Sequence, residues 1–123
     1  MGPARQCILG VEDDPDIAAL LRLIFDPACY VVTVAEDLAV ARATLAEAPP
    51  PDLIILDVEL PDGNGLDLCR ELKATWPALP VLVLTAQDEV RAEAFEAGAT
   101  LFMPKPFDPN DLAATVEELL HPT

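Results

Sequence analysis

Five polar side chains in this 123-residue sequence could do chemistry together: Glu12, Asp13, Asp57, Thr85 and Lys105. Each follows a short apolar run: CILGV before Glu12-Asp13, LIIL before Asp57, VLVL before Thr85, and LFM with Pro104 before Lys105. If those runs are strands of one parallel sheet, their carboxyl ends share an edge and the five groups converge there. One acid near a helix start is ordinarily a cap or a dipole partner; the joint placement is what points to a site. Three carboxylates in one place repel, each ionised pair costing roughly 4 kcal/mol at about 4 Å and an effective dielectric near 20. Lys105 supplies one counter-charge. Oxygen ligands without His or Cys nearby are the set that a hard cation, Mg²⁺ or Mn²⁺, prefers, and Mg²⁺ commonly combines one or two carboxylates with phosphate oxygens. A carboxylate can act as nucleophile in phosphoryl transfer and form an aspartyl-phosphate. In that chemistry a metal, an ammonium and a hydroxyl neutralise the transferring oxygens. Asp57 is the expected nucleophile because it ends a run apolar at every position, whereas Glu12 and Asp13 are adjacent and suited to sharing a metal.

The elements that must position these groups follow from pattern. Cys7–Val11 predicts a first strand, and Asp14-Pro15 a helix start, with Asp14 as cap and Pro15 at the first helical position. Ile17, Leu20, Leu21 and Ile24 recur at helical spacing before Asp26-Pro27 breaks the pattern. Tyr30–Ala35 is β-branched and predicts strand two. Asp37 is the expected cap of a second helix reaching Ala48, ended by Pro49-Pro50-Pro51. Leu53–Leu56 and Val81–Leu84 are continuous apolar runs, the mark of strands buried on both faces. The turn dipeptides Asp62-Gly63 and Asn64-Gly65 predict a loop over 58–65, then a third helix over 66–75. A fourth helix over 88–97 is expected to stop at Gly98 in a left-handed cap. Leu101–Met103 is the fifth strand, and Asp108-Pro109 starts the last helix, with Phe107 and Leu112 at the positions of a hydrophobic staple. Strand and helix alternate five times, which predicts an α/β domain around a parallel sheet with its ligand site at the carboxyl ends of the strands.

Composition limits the function classes. With 22 acidic residues against 7 Lys and Arg, the formal charge of -15 argues against direct binding of nucleic acid, whose phosphates are held by Lys and Arg. It equally disfavours an anionic membrane surface. No apolar run approaches the roughly 18 residues of a membrane span, and the start, Met1 to Arg5, leads into too short a stretch for a secretory signal. A cytoplasmic location is expected. Cys7, Cys29 and Cys69 form no CxxC and are expected to be buried reduced thiols.

Taken in order, Glu12-Asp13, Asp57 within LIILDVELPDGNGLDL, Thr85 within VLVLTA and Lys105 within KPF resemble the receiver domain of two-component response regulators. The resemblance covers about Cys7 to Leu120 of one domain spanning 1–123. It implies a flavodoxin-like, doubly wound five-stranded parallel sheet of order 2-1-3-4-5 with five flanking helices. It further implies that Asp57 is the phosphoacceptor and that Glu12, Asp13, Asp57 and the backbone carbonyl of Glu59 hold Mg²⁺ or Mn²⁺. Thr85 and Lys105 would contact phosphoryl oxygens, and the Lys105-Pro106 bond would be cis. A sensor histidine kinase or a histidine phosphotransfer protein would be the donor, and an effector or effector domain the target. A homodimer formed on phosphorylation is a further expectation, as is the absence of enzymatic activity beyond the domain's own phosphorylation and dephosphorylation.

Three positions depart from the commonest residues of that family or modulate its site. Phe102 stands where a switch Tyr is frequent and lacks its hydroxyl. Glu59 stands where Met is frequent and is expected to slow the capture of anionic phosphodonors. Gln87, two after Thr85, is expected to orient or shield the attacking water. The output face, formed by the fourth helix, fifth strand and fifth helix, is expected around Arg91, Phe95, Phe102 and Leu112. A haloacid-dehalogenase-like hydrolase would instead carry its nucleophile in a DxD after the first strand. An EF-hand is excluded by Pro61 and Asp62 at its fifth position and glycine site. A phosphate-independent binding module is the remaining alternative, and the full set of five residues disfavours it.

Overall fold

The computed structural model describes residues 4–122; Met1–Pro3 and Thr123, the outer ends of the expected 1–123 domain, lie outside the described residues. Its elements are β1 (Gln6–Val11), α1 (Pro15–Ile24), β2 (Tyr30–Ala35), α2 (Leu38–Glu47), β3 (Leu53–Leu56), α3 (Gly65–Thr75), β4 (Val81–Thr85), α4 (Arg91–Glu96), β5 (Leu101–Pro104) and α5 (Pro109–Leu120). The strands form one parallel sheet of order β2-β1-β3-β4-β5, as expected. Val11 is in register with Leu56, Leu56 with Val83, and Thr85 with Pro104. The strand ends therefore lie side by side, and the residues after them share one edge.

Alternation along each strand divides the core into two layers. Leu9, Val11, Ile54, Leu56, Val81 and Val83 pack with Leu38 and Ala41 of α2, Leu68 and Leu72 of α3, and Ala94 of α4. Ile8, Leu53, Ile55, Leu82 and Leu84 pack with Leu21 of α1 and with Leu112 and Val116 of α5. Strands β3 and β4 serve both layers, which is why every one of their residues is apolar until Thr85.

Local chemistry sets the helix ends. Asp14 accepts the N–H groups of Asp16 and Ile17, Asp37 that of Val40, and Asp108 that of Asn110. Gly98 has φ +106° and closes the turn after α4. The fourth helix is shorter than expected: Asp88–Val90 forms a 3-10 turn, with no side-chain cap from Gln87 before it, and α4 begins at Arg91. Two further expectations are corrected. Cys7 and Cys29 are exposed and only Cys69 is buried, all three being free; Cys7 lies at the amino end of β1, at the far edge of the sheet, and Cys29 in the turn before β2. Leu112 belongs to the core and not to the output face: it is fully buried in the cluster of Leu82 and Leu84, against which half-buried Phe107 also packs.

Tyr30 joins the second layer to α5. Its ring meets Phe25 edge-on at 5.8 Å and its hydroxyl donates to Glu117 Oε2 at 2.9 Å. Burial, the bond to Glu117 and that residue's charge push the phenol up to about 12. An unfolded Tyr releases its proton near 10, so stability falls as pH rises from about 10 to about 12, where only the unfolded chain ionises at this position. Tyr30→Phe is expected to flatten that part of the stability profile, read from urea midpoints across this pH range; an unchanged slope would place the loss elsewhere.

Candidate functional site

At the carboxyl edge of the sheet lies an open cleft of about 590 Å³ whose walls include Glu12, Asp13, Asp57, Glu59, Thr85 and Lys105. Backbone bonds hold its members in place. Glu12 N–H donates to Ala35 O at 3.0 Å, Asp57 N–H to Val11 O at 3.0 Å and Lys105 N–H to Thr85 O at 2.9 Å. Each of these three is thus tied to the strand beside its own.

Glu12 and Asp57 are 3 % and 6 % exposed, and Thr85 is buried; such burial of charge requires pairing. Lys105 supplies it, with Nζ 2.6 Å from Glu12 Oε1 and 3.1 Å from Asp57 Oδ2. The second Glu12 oxygen accepts Asp14 N–H at 3.2 Å, and Asp57 Oδ1 accepts Val58 N–H at 2.7 Å. Among the described residues no buried side-chain nitrogen or oxygen lacks a partner. Burial pushes the Glu12 carboxyl up to about 7 against the hydrogen bonds from Lys105 and Asp14, and the charge of Asp57 pushes the same way. For Lys105 burial acts downward, but the bond to Glu12 and the two carboxylate charges outweigh it and leave the ammonium raised. One ammonium facing two buried carboxylates is a site that a further positive charge would relieve.

One oxygen from each of Glu12, Asp13 and Asp57 lies within 4.8 Å of the others, with Asp13 exposed to the cleft. These are hard oxygen donors on two buried residues and one accessible one, which fits a cation of the Mg²⁺ type. The exposed Glu59 is on the cleft wall as well. Gln87 and Phe102 are not among its lining residues. Gln87 reaches the site through its backbone, donating its N–H to Thr85 Oγ1 at 3.2 Å. Phe102 is half-buried against the first core layer, with the Arg91 guanidinium 5.4 Å from its ring centroid and 5.9 Å from that of Phe95.

Three features escaped the sequence reading. Asp14 and Asp16 also line the cleft, although their signal was that of a helix start. The loop after Asp57 is a small hairpin in which Glu59–Leu60 pairs with Gly63–Asn64, and Asp62 at its tip binds α2. Gly65, the first residue of α3, is packed against the Asp57 carbonyl: a Cβ there would lie 1.9 Å from that oxygen. The turn dipeptides pointed to a bend and not to these contacts.

Fold and cleft define a doubly wound parallel-sheet domain with an acidic, lysine-bridged pocket at the carboxyl edge of its strands. The response regulator receiver domain model matches residues 8–117, and the chain belongs to that family, whose setting is two-component signalling. It is 39 % identical over 118 residues to the response regulator MprA of Mycobacterium leprae, covering 94 % of this chain and 51 % of that protein. The chain spans about half the length of the curated relatives it matches. Among solved structures, response regulator DrrB of Thermotoga maritima has a TM-score of 0.84 at 31 % identity, covering 95 % of this chain and 53 % of that one. The phosphorylated cyanobacterial phytochrome response regulator RcpA has a TM-score of 0.85 at 25 % identity, covering 98 % and 97 %. Among the described residues no helix is long and apolar enough to cross a membrane.

Proposed function

We propose that this chain is the phosphoacceptor switch of a two-component phosphorelay, with Asp57 as the residue modified. The observation that carries the reading is the Lys105 ammonium bridging Glu12 and Asp57 at 2.6 and 3.1 Å beside a third carboxylate. An Asp57 oxygen attacks the phosphorus of a phosphohistidine on a sensor kinase or phosphotransfer protein; the P–N bond breaks and its electron pair leaves on the imidazole nitrogen, which takes a proton from solvent. The Val58 N–H holds Asp57 Oδ1, which leaves the carboxylate oriented for attack. Lys105 and the Thr85 hydroxyl neutralise and bind the phosphoryl oxygens. Glu12, Asp13, Asp57 and the Glu59 carbonyl would hold Mg²⁺ or Mn²⁺, which supplies further neutralisation of those oxygens when bound.

The phosphoryl group brings about -1.5 to -2 charge into an anionic cleft, so the modified state draws Thr85 and Lys105 inward. Thr85 carries the segment to α4 with it, through the Gln87 N–H on its hydroxyl. The face formed by α4, β5 and α5, with Arg91 stacked on Phe95 and Phe102, then repacks for an effector or a second copy. This is a population shift whose size equals the difference in phosphoryl interaction between the two packings. No enzymatic activity beyond the domain's own phosphorylation cycle, no direct nucleic-acid contact and a cytoplasmic location complete the reading. RcpA, similar in fold, is itself described in phosphorylated form.

Intact mass after incubation with acetyl phosphate and Mg²⁺ tests the assignment. One phosphoryl group per chain is expected, lost in Asp57→Asn; labelling that survives in this variant defeats the role of Asp57. Glu59 adds an exposed carboxylate to the cleft wall, and Glu59→Met is expected to speed acetyl phosphate labelling several-fold, about what removal of roughly 1 kcal/mol of repulsion gives. An unchanged initial rate would clear Glu59 of that effect.

A further inference from the structure

Asp62 is exposed and outside the cleft, yet both of its carboxylate oxygens are occupied. Oδ1 accepts the N–H of Leu38 at 2.9 Å and Oδ2 that of Ala39 at 3.0 Å, across 24 and 23 positions of sequence. The first N–H groups of a helix have no partner within it. At α2, Asp37 takes Val40 N–H at 2.8 Å, and Asp62 takes two more from a separate segment. These bonds, led by that from Leu38, hold the Asp62 carboxyl below its ordinary value.

The same contact continues through the backbone and the core. Gly63 has φ +152°, and a Cβ there would lie 2.9 Å from Leu38 Cδ1, so the hairpin rests directly on the first residue of α2. Leu60 and Leu38 are buried in one cluster. At the other end of the hairpin, Gly65 N–H donates to Val58 O at 2.7 Å. A segment of fewer than ten residues is therefore fixed at its tip by α2 and at its base by Asp57 and Val58, with Glu59 between the two anchors.

Resting on the function proposed above, the geometry points to Asp62 as a positioning residue of the metal site: by clamping the hairpin tip to the N-terminus of α2, it fixes where the Glu59 carbonyl stands relative to Asp57. It touches neither reacting group. Its effect is therefore read in metal affinity, and a second cap on the same helix end separates positioning from stability.

Mg²⁺ affinity of the full chain is measured by titration calorimetry for wild type, Asp62→Ala, Asp62→Asn and Asp37→Ala, with urea midpoints for each. Asp62→Ala and Asp37→Ala both strip a cap from α2 and both lower stability, but only the first frees the hairpin. Asp62→Ala is expected to weaken Mg²⁺ binding about tenfold, the scale of losses when a partner behind a metal ligand is removed, while Asp37→Ala stays within about twofold. Asp62→Asn keeps one acceptor oxygen and falls between them; it carries the same comparison if the Ala variant does not fold. Equal weakening in the Asp62 and Asp37 variants, or none in either, overturns the role. A wild-type chain that takes up phosphoryl at Asp57 while Asp62→Ala binds Mg²⁺ normally defeats this inference alone. A wild type that shows no Mg²⁺-dependent labelling defeats the proposed function, and this inference with it.

Discussion

Lys105→Ala is expected to destabilise the metal-free protein by about 3 to 5 kcal/mol well above pH 7, the value to which Glu12 is raised, and by less at lower pH where Glu12 takes up a proton; this is the usual loss when one member of a buried ionic group is removed and its charged partners stay behind. The Lys105 side chain is 15 % exposed and its two partners 3 % and 8 %, so solvent does little to screen the charges left over. Glu12 and Asp57 would then face each other with an Asp13 oxygen within 4.8 Å and no cation among them. Lys105→Met keeps most of the apolar stem and removes the same charge, so a loss of similar size in both variants assigns the effect to electrostatics and not to packing. Divalent cation should restore part of it, because a ligand that binds only the folded state stabilises by an amount that grows with the logarithm of one plus its concentration over its Kd, and Mg²⁺ replaces the missing positive charge. Urea midpoints with and without Mg²⁺ read both effects. The Mg²⁺-induced gain should be larger in the variants than in wild type. A loss under about 1 kcal/mol, the scale of a solvated surface pair, would mean that the ammonium is not the counter-charge of this cleft.

The site was legible in the sequence wherever a strand ended, since a parallel sheet converts the order of apolar runs into a spatial neighbourhood. Glu12, Asp57, Thr85 and Lys105 needed only the assumption that CILGV, LIIL, VLVL and LFM lie side by side, and their register bears that assumption out. What stayed hidden belongs to the segment between Asp57 and α3. Asp62 and Gly65 sit in Asp-Gly and Asn-Gly pairs whose general meaning is a turn; that one caps a helix 24 positions earlier and the other lies under a carbonyl depends on how α2 and α3 pack over the sheet. The exposure of Cys7 and Cys29 departs from expectation for a related reason. Cysteine is usually buried, but the pattern of β1 does not say that its second residue is exposed at the amino end of the strand. Leu112 departs from the expectation because an output face carried over as a region of chain does not say which side of α5 turns inward, and the helical spacing of Leu112 and Val116 puts both in the core.

Gly65→Ala should show the largest conflict between helix propensity and tertiary contact. At an ordinary helical position the change from Gly to Ala stabilises by about 1 kcal/mol. Here the added methyl would stand 1.9 Å from Asp57 O, 3.0 Å from Asp57 C and 3.2 Å from Val58 Cα. All three are backbone atoms and none can rotate away. Helix α3 cannot retreat either, because Leu66, Leu68, Cys69 and Leu72 anchor it in the core and Asn64 caps its start by accepting Leu66 N–H at 2.8 Å. The strain must pass to the Asp57–Val58 peptide, whose N–H donates to Asp57 Oδ1 itself. Overpacking typically costs about 1 to 3 kcal/mol, and a clash of backbone with backbone puts this substitution at the upper end. Displacement of Asp57 also acts on chemistry, where a misplacement of about 1 Å can lower a rate about a hundredfold. Gly98→Ala is the comparison: its methyl would meet the Lys73 side chain at 2.5 Å with φ at +106°, a strained position remote from the cleft. Both variants should lose stability in urea, but only Gly65→Ala should lose acetyl phosphate labelling under conditions where each remains folded. If Gly65→Ala labels at the wild-type rate, the contact between α3 and the Asp57 carbonyl does not set the position of the nucleophile.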